Sequence, residues 1–121
     1  QRQTMAAGSV FRMDATHVDV DKLLAWVSAP IDDNLETVPG IGPKAREKLE
    51  ANGIKTTTAL VGRFLVCKDK ADMSAQDLAN AFYDYLRNLK IDSNRARIVR
   101  YIGAKANSMV PGIFREKDLE Q

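Results

Sequence analysis

The segment VPGIGPKAREKLE, residues 38–50, contains residue types that could bind a phosphate group. Gly40 and Gly42 allow backbone conformations that other residues resist, and neither has a Cβ atom to keep a ligand away from the peptide groups. Pro43 suits the first position of a helix, whose free N–H groups attract anions. Lys44 adds a positive charge at the same place. The chemistry predicted here is non-covalent binding of phosphate by backbone amides.

Two short helices are needed to present such a turn. Apolar residues surround it in the pattern expected for packed helices: Leu35, Val38, Ile41, Leu49 and Ile54. Ile41, between the glycines, is expected to face back and pack the two helices together. The helix that begins at Pro43 is predicted to end near Asn52, because Gly53 is a good residue to follow a helix.

The segment before the turn predicts two further helical pieces. In residues 19–30, Asp19 is a suitable N-cap and Pro30 closes the segment. Its apolar residues share one helical face: Val20, Leu23, Leu24 and Val27. Asp32 or Asp33 is predicted to cap a short helix. Together with Glu36 these carboxylates could be read as a metal cluster, but we interpret them as capping groups.

The segment after the turn predicts three more helices. One is predicted to be capped by the threonines that open TTTALVGRFLVC, and another begins after Ser74, which with Asp77 resembles a capping box. The last is predicted to be capped by Asp92 and to bury Ile98, Ile102 and Ala106. No pair of alternating apolar and polar runs flanks a hairpin turn. The sequence therefore predicts an all-α fold, a compact bundle of five or six short helices.

One cysteine, Cys67, and one histidine, His17, occur in the 121 residues. No internal disulfide can form, which favours a reducing compartment. A structural zinc site needs more such ligands, and neither residue lies in a nucleophile signature. The chain also lacks the ~18-residue apolar run of a membrane span and the apolar stretch of a secretory signal. We therefore expect a soluble intracellular protein that is not an enzyme and has no metal site.

Positive charge is concentrated in two blocks, although the formal net charge is only +2. Residues 40–70 carry seven basic and three acidic groups, and residues 92–109 carry four basic groups and one acidic group. If the fold brings these blocks together, they form a basic face on a nearly neutral protein. The alternative is that both blocks are solvated helix faces.

The glycine turn and its flanking segments resemble the helix-hairpin-helix motif of DNA-binding proteins. The match spans roughly residues 32–65 and includes the usual continuation at Leu49, Glu50, Gly53 and Ile54. In that motif the hairpin amides contact phosphate oxygens without reading the bases. The resemblance therefore implies sequence-independent, salt-sensitive DNA binding. A bare helical turn is one alternative, whereas a nucleotide-binding loop would need a preceding strand and a third glycine.

A longer resemblance, over most of the chain, is to the barrier-to-autointegration factor family. It rests on KLLAWVSAPIDDNLETVPGIGPKAREKLEANGIKTTTALVGRFLVCKD at residues 22–69, on FYDYLRNLK at 82–90 and on the basic last helix. The resemblance implies a SAM-like bundle that contains the helix-hairpin-helix motif. It also implies a homodimer that binds duplex DNA without sequence preference and that bridges and compacts it, in the nucleus on chromatin.

The resemblance assigns DNA contacts to three places in this sequence, which draw on both basic blocks. The assigned residues are Lys22 in the first helix, then Gly40, Ile41, Gly42, Lys44, Ala45 and Arg46 in the hairpin, and Ser93, Asn94, Arg95 and Arg97 at the last helix.

Further features follow from the apolar helix 56–67 and from the resemblance. Gly62 and Phe64 are candidates for a subunit interface. The resemblance implies LEM-domain proteins of the nuclear envelope as partners, and it allows a monovalent cation at the hairpin carbonyls as the single cofactor. The aromatic residues mostly have core spacing, so we expect them to pack in the core or in a dimer rather than stack on bases.

The ends of the chain are predicted to lie outside the domain. Residues 1–18 are expected to form a flexible N-terminal arm, residues 19–109 the helix-hairpin-helix domain and residues 110–121 a C-terminal arm. The arm sequence VPGIFREKDLE echoes the hairpin, but Phe114 replaces its second glycine, so we expect a docked or mobile segment.

Two other functions remain as alternatives. One is a non-catalytic helix-hairpin-helix module of a repair or replication complex, which would be a monomer with one DNA site. The other, a glycosylase or lyase of the same motif, is disfavoured because the chain is too short for two lobes and has no cysteine set for an iron–sulfur cluster.

Overall fold

The computed structural model describes residues 11, 19–115 and 118–119, and over this range the protein is all-α. Its elements are α1 (Val20–Ser28), a 3-10 turn (Leu35–Thr37), α2 (Pro43–Ala51), α3 (Thr57–Val66), α4 (Ala75–Asn88) and α5 (Arg95–Met109). The predicted fold class is confirmed. None of these helices is long and apolar enough to cross a lipid bilayer.

Helix α5 is the centre of the bundle and packs against α1, α3 and α4. Its buried face contains Ile98, Ile102 and Ala106, as their spacing predicts. The other side of the core is aromatic, since the ring of Phe64 meets the rings of Phe82 and Phe114 edge to face at 5.1 and 5.3 Å. Edge-to-face packing is a preferred arrangement of aromatic pairs and contributes to the stability of the core.

The predicted caps of three helices are confirmed. Asp19 accepts hydrogen bonds from the first amides of α1, Thr56 accepts one from Ala59 N, and Ser74 accepts one from Asp77 N. Each cap satisfies an amide that the helix itself leaves unpaired.

Two predicted caps are wrong. The 3-10 turn is capped by Asn34, because Asp32 accepts a hydrogen bond from Asn34 N and Asp33 is bonded to Thr58. The hydroxyl and amide of Thr58 hold the pKa of Asp33 below its usual value. Helix α5 begins only at Arg95, and its N-cap is Asn94 rather than Asp92.

The apolar face predicted for α1 exists but is not buried. No residue of α1 is buried, and Val20 and Leu24 are 62% and 59% exposed. The helix is held instead through Trp26, whose indole N–H donates to the carbonyl of Tyr101 at 2.9 Å, and through Lys105 of α5.

Both ends of the chain contribute to the core. Phe11 is the one residue of the predicted flexible arm 1–18 that the structure describes, and it is buried rather than free. Its amide donates to Asn80 and its carbonyl accepts from Gln76, both at 2.8 Å. Phe114 of the predicted C-terminal arm is also buried. The remainder of the N-terminal arm, residues 1–10 and 12–18, lies outside the described residues.

Candidate nucleic-acid interface

The glycine turn connects the 3-10 turn to α2 as the sequence predicts. Gly40 has φ +100°, a conformation that side chains oppose. Ile41 is buried, and its amide donates to the carbonyl of Val38 at 3.0 Å. Gly42 differs from the prediction, because its φ of −102° is open to any residue. A Cβ atom added there would meet nothing within 4 Å, so what its missing side chain provides is open access to the start of α2.

The two glycines should therefore respond differently to alanine. Gly40→Ala should lower the free energy of unfolding by about 1–3 kcal/mol. The alanine would have to adopt the positive φ of Gly40, and its Cβ atom would lie 3.1 Å from Cγ1 of Ile98. Gly42→Ala should change it by less than about 0.5 kcal/mol. Urea unfolding of both variants checks this. Equal losses would show that the second glycine is also needed for folding.

The N-terminus of α2 presents unpaired amides to solvent. Its N-cap, Gly42, has no side chain to cap the helix, and Pro43 at the first position has no N–H. The amide of Arg46 bonds to the carbonyl of Gly42 at 3.0 Å. The amides of Lys44 and Ala45 therefore have no hydrogen-bond partner among the residues that the structure describes.

The N-terminus of α5 has the same character. Asn94 is in the left-handed conformation with φ +61°, and its side chain does not cap the helix. The amide of Ile98 bonds to the carbonyl of Asn94 at 3.0 Å. Within the described part of the chain, the three preceding amides, of Arg95, Ala96 and Arg97, have no partner.

These two helix ends lie next to each other. Gly40 packs on the first turn of α5, and the side-chain amide of Asn94 lies 3.5 Å from the Gly40 carbonyl. On the other side, the ammonium of Lys48 bonds to the carbonyl of Lys90 and lies 3.9 Å from the carboxylate of Asp92. The fold thus brings the start of the first basic block next to the start of the second.

The charged side chains at the N-termini of α2 and α5 have the sign opposite to the one that helix N-termini usually favour. Helices favour acidic groups in the first turn, where the dipole is positive. Helices α1 and α4 follow this rule with Asp21 and Asp77. Helices α2 and α5 have no acidic residue there and instead carry Lys44, Arg95 and Arg97. Such an arrangement is unfavourable in the free protein and favourable when an anion binds.

Lys22 of α1 belongs to the same face. It lines a cleft of about 500 Å³ together with Asp19, Pro39, Arg97 and Tyr101. The cleft thus connects the start of α1, the residue before the hairpin glycines and the first turn of α5. Lys22, Lys44 and Arg97 are all exposed at this face.

Two predicted contact residues use their side chains within the protein. Arg46 forms an ion pair with Glu36 at 2.7 Å. Arg95 donates to the carbonyl of Ile91 at 3.1 Å, and its guanidinium lies 5.0 Å from the ring centroid of Tyr83. Arg95 can still offer its backbone amide, whereas Ser93 and Asn94 remain exposed beside it.

The sequence model of the barrier-to-autointegration factor family matches residues 18–98, about two thirds of the chain. The chain belongs to this family. Its members are non-catalytic DNA-binding proteins associated with chromatin in the nucleus. Searches of curated proteins and of solved structures give no significant match. The match runs from the start of α1 to the first turn of α5, so it includes every predicted DNA-contact residue.

The unpaired amides at the starts of α2 and α5 are groups of a kind that can bind phosphate oxygens. The carboxylates Asp32, Asp33 and Glu36 are occupied with Asn34, Thr58 and Arg46. Among the described residues no cluster of potential ligands could hold a metal ion.

One of the two predicted interface residues does not reach the surface. Phe64 has no exposed area and packs within the subunit, so its assignment to a dimer interface is wrong. The helical period places Phe64 with Leu60 and Val61 on the inner face of α3. Gly62 lies on the other face, half-buried and with open space above its Cα atom.

Sequence reasoning missed Lys48, Pro39 and Tyr101, which complete the surroundings of the site. The sequence could have indicated Lys48, because it lies in the first basic block on the hairpin helix. No sequence pattern could have indicated Tyr101, since its position at the cleft depends on how α1 packs against α5.

Proposed function

We propose that this protein binds double-stranded DNA without sequence preference and, as a homodimer, bridges and compacts it. The observation that carries the proposal is the pair of adjacent, uncapped helix N-termini, α2 and α5, with cations in their first turns. Groups of this kind bind phosphate oxygens, which are the same at every base pair. Nothing in such a contact distinguishes one sequence from another.

The spacing of the groups suits a phosphate backbone better than a single small anion. Unpaired amides occur at Lys44 and Ala45 and again from Arg95 to Arg97, and Lys22 adds a charge across the cleft. Several separate anion-binding points on one face favour a ligand with repeated phosphates, and a nucleic acid strand has this chemistry.

Binding should depend steeply on salt and little on sequence. We expect two unrelated 20-bp duplexes to bind with affinities within a factor of about three, since phosphate contacts carry no sequence information. The plot of log affinity against log salt should have a slope of about −0.9 for each phosphate contacted. Fluorescence anisotropy at several salt concentrations measures both. A strong preference for one duplex, or a flat salt dependence, would contradict the proposal.

The outer face of α3 supports a homodimer. Ala59, Gly62 and Val66 lie at positions i, i+3 and i+7, opposite the buried face of the helix. They are apolar, yet none is buried, and Val66 is 62% exposed. Small residues in the middle of such a stripe allow a helix of a second subunit to approach closely. We therefore keep Gly62 as an interface residue.

Bridging requires more than one duplex per particle. Light scattering of the protein alone should give twice the mass of the chain, and with a short duplex each dimer should bind two DNA molecules. A monomer with a single duplex would instead support the alternative function, a DNA-binding module within a repair or replication complex.

Family membership supports three further expectations, which concern the location of the protein, its protein partners and a bound cation. We propose a nuclear, chromatin-associated location and LEM-domain proteins as partners. A monovalent cation at the hairpin carbonyls stays a prediction. The carbonyls of Val38 and Gly40 each have a hydrogen-bond donor nearby, from Ile41 N and Asn94 Nδ2 respectively, and a carbonyl oxygen has a second lone pair for an ion.

A further inference from the structure

Helix α1 is attached to the rest of the bundle mainly through α5. It has nine residues, none of them buried. A helix this short is not stable by propensity alone and depends on tertiary contacts. The contacts that hold α1 therefore decide where its side chains lie, including Lys22 at the DNA-binding face.

Lys105 of α5 provides these contacts at the C-terminal end of α1. Its ammonium donates to the carbonyls of Trp26 and Ala29, both at 2.5 Å, and lies 3.5 Å from the carbonyl of Val27. These carbonyls are among those that a helix leaves unpaired at its end. Helix α1 has no basic residue in its own last turn, so Lys105 supplies the positive charge that the helix dipole favours there.

The position of Lys105 is difficult to explain by packing alone. The residue is only 2% exposed, and no carboxylate in the described part of the chain forms an ion pair with it. Burial lowers the pKa of its ammonium group. An apolar residue could fill the space without this desolvation, but it would not provide three N–H donors. The Trp26 ring, with its centroid 4.9 Å from the ammonium, adds a cation–π contact.

The same two helices meet again at the DNA-binding face. Near the start of α1, Lys22 shares a cleft with Arg97, and near its end Ala29 contacts Lys105. The helices therefore run side by side in the same direction. At ~1.5 Å per residue, Lys22 lies ~10 Å from Ala29 along α1, and Arg97 lies ~12 Å from Lys105 along α5. A contact that fixes the end of α1 also fixes the level of Lys22 beside Arg97.

We propose that Lys105 is a positioning residue for DNA binding, which caps the C-terminus of α1 and thereby holds Lys22 where it can contact a phosphate. The inference rests on the proposed function. Lys105 lies outside the range matched by the family model, so the cap is not part of the similarity that identifies the family.

The test compares Lys105→Met, Lys22→Ala and the double variant with the unchanged protein. Methionine keeps the length of the side chain and removes its charge and donors. Binding of a labelled 20-bp duplex is measured by anisotropy at several salt concentrations. Lys105→Met should reduce the salt slope by about 0.9, as Lys22→Ala does, because one phosphate contact is lost. In the double variant the slope should fall no further. Lys70 is an exposed residue of the α3–α4 loop, and Lys70→Met is the control for the loss of one charge.

Hydrogen exchange of the α1 amides provides a second readout that does not require DNA. Lys105→Met should increase exchange between residues 23 and 28 at least about tenfold, while amides of α4 remain protected. If the unchanged protein fails to bind duplex, the proposed function is wrong, and this exchange still tests the cap. Lys105→Arg, which keeps charge and donors, should restore most of the salt slope.

The remaining outcomes would overturn the proposal. A folded Lys105→Met protein with an unchanged slope would show that Lys22 does not depend on the cap. Additive slope losses in the double variant would show that the two residues act independently. If Lys105→Met and Lys105→Gln both unfold the bundle, as measured by circular dichroism, the role of Lys105 is general stability and not the position of α1.

Discussion

The double variant Gly42→Glu/Lys44→Ala should lose at least about 100-fold in duplex affinity while keeping its helix content. Gly42 has an ordinary φ and open space around its Cα atom, so a larger residue fits without strain. A carboxylate at this position interacts favourably with the positive end of the helix dipole. It also occupies the place where a phosphate oxygen would approach the amides of Lys44 and Ala45.

The size of the loss follows from the interactions removed. Each hydrogen bond to a charged group contributes about 1.5–3 kcal/mol, and each 1.4 kcal/mol corresponds to a factor of ten in affinity. Two amide–phosphate bonds and one lysine charge are affected at a single site. A loss below about tenfold would show that the start of α2 does not contact DNA.

A matched control separates this local effect from a change in net charge. Lys70→Ala/Ala71→Glu makes the same change of two charge units in the exposed α3–α4 loop. Its affinity should stay within about threefold of the unchanged protein, because the α3–α4 loop contains neither of the helix ends that form the site, and salt at ~0.1 M screens its exposed charges. Circular dichroism and urea unfolding should be unchanged for both double variants.

The parts of the site that local chemistry determines could be predicted from the sequence. Gly40, Ile41 and Pro43 define a turn within a few residues, and Asp19, Thr56 and Ser74 cap their own helices. In each case the interacting groups are neighbours in the chain. For the same reason the inner face of α5, with Ile98 and Ile102, follows directly from the helical period.

The predictions that are wrong concern residues whose positions depend on contacts between distant residues or on competing local bonds. Asp92 is a good capping residue in isolation, but Asn94 adopts the left-handed conformation against Gly40 and shifts the helix start. The apolar face of α1 predicts burial, yet α1 is held by Trp26 and Lys105. No sequence pattern indicated that a lysine 76 residues along the chain would bond to the carbonyl of Ala29.

The prediction that Phe64 lies at a subunit interface is wrong for a related reason. When both faces of a helix are apolar, the pattern does not indicate which side faces the core, and the contact of Phe64 with Phe114 is made far along the chain. The observed inner face contains Leu60, Val61 and Phe64, and the outer stripe contains Ala59, Gly62 and Val66.

The C-terminal segment, which the sequence predicts to be an arm, contributes Phe114 to the core. Phe114 lies against Gly103 in the middle of α5. A Cβ atom on Gly103 would lie 2.4 Å from Cδ2 and Cε2 of the Phe114 ring, a distance that no packed structure accepts. The ring has little room to withdraw, because Phe64 meets it edge to face on another side.

Gly103→Ala should therefore lower the free energy of unfolding by about 1–3 kcal/mol, the range for overpacking a core. Without the ring the same substitution should be favourable, since alanine in a helix interior is about 0.5–1 kcal/mol better than glycine. Phe114→Ala alone should cost about 3–5 kcal/mol. Adding Gly103→Ala to it should recover part of that loss.

Urea unfolding of the two single variants and the double variant measures this reversal of sign. If Gly103→Ala destabilises the protein equally in both backgrounds, the methyl group clashes with something other than Phe114. If it stabilises the protein in both, the C-terminal segment does not occupy the core in solution. A reversal would establish that the glycine in α5 exists to admit the ring. It would also establish that residues beyond the family's matched range, which ends at Ile98, belong to the folded domain.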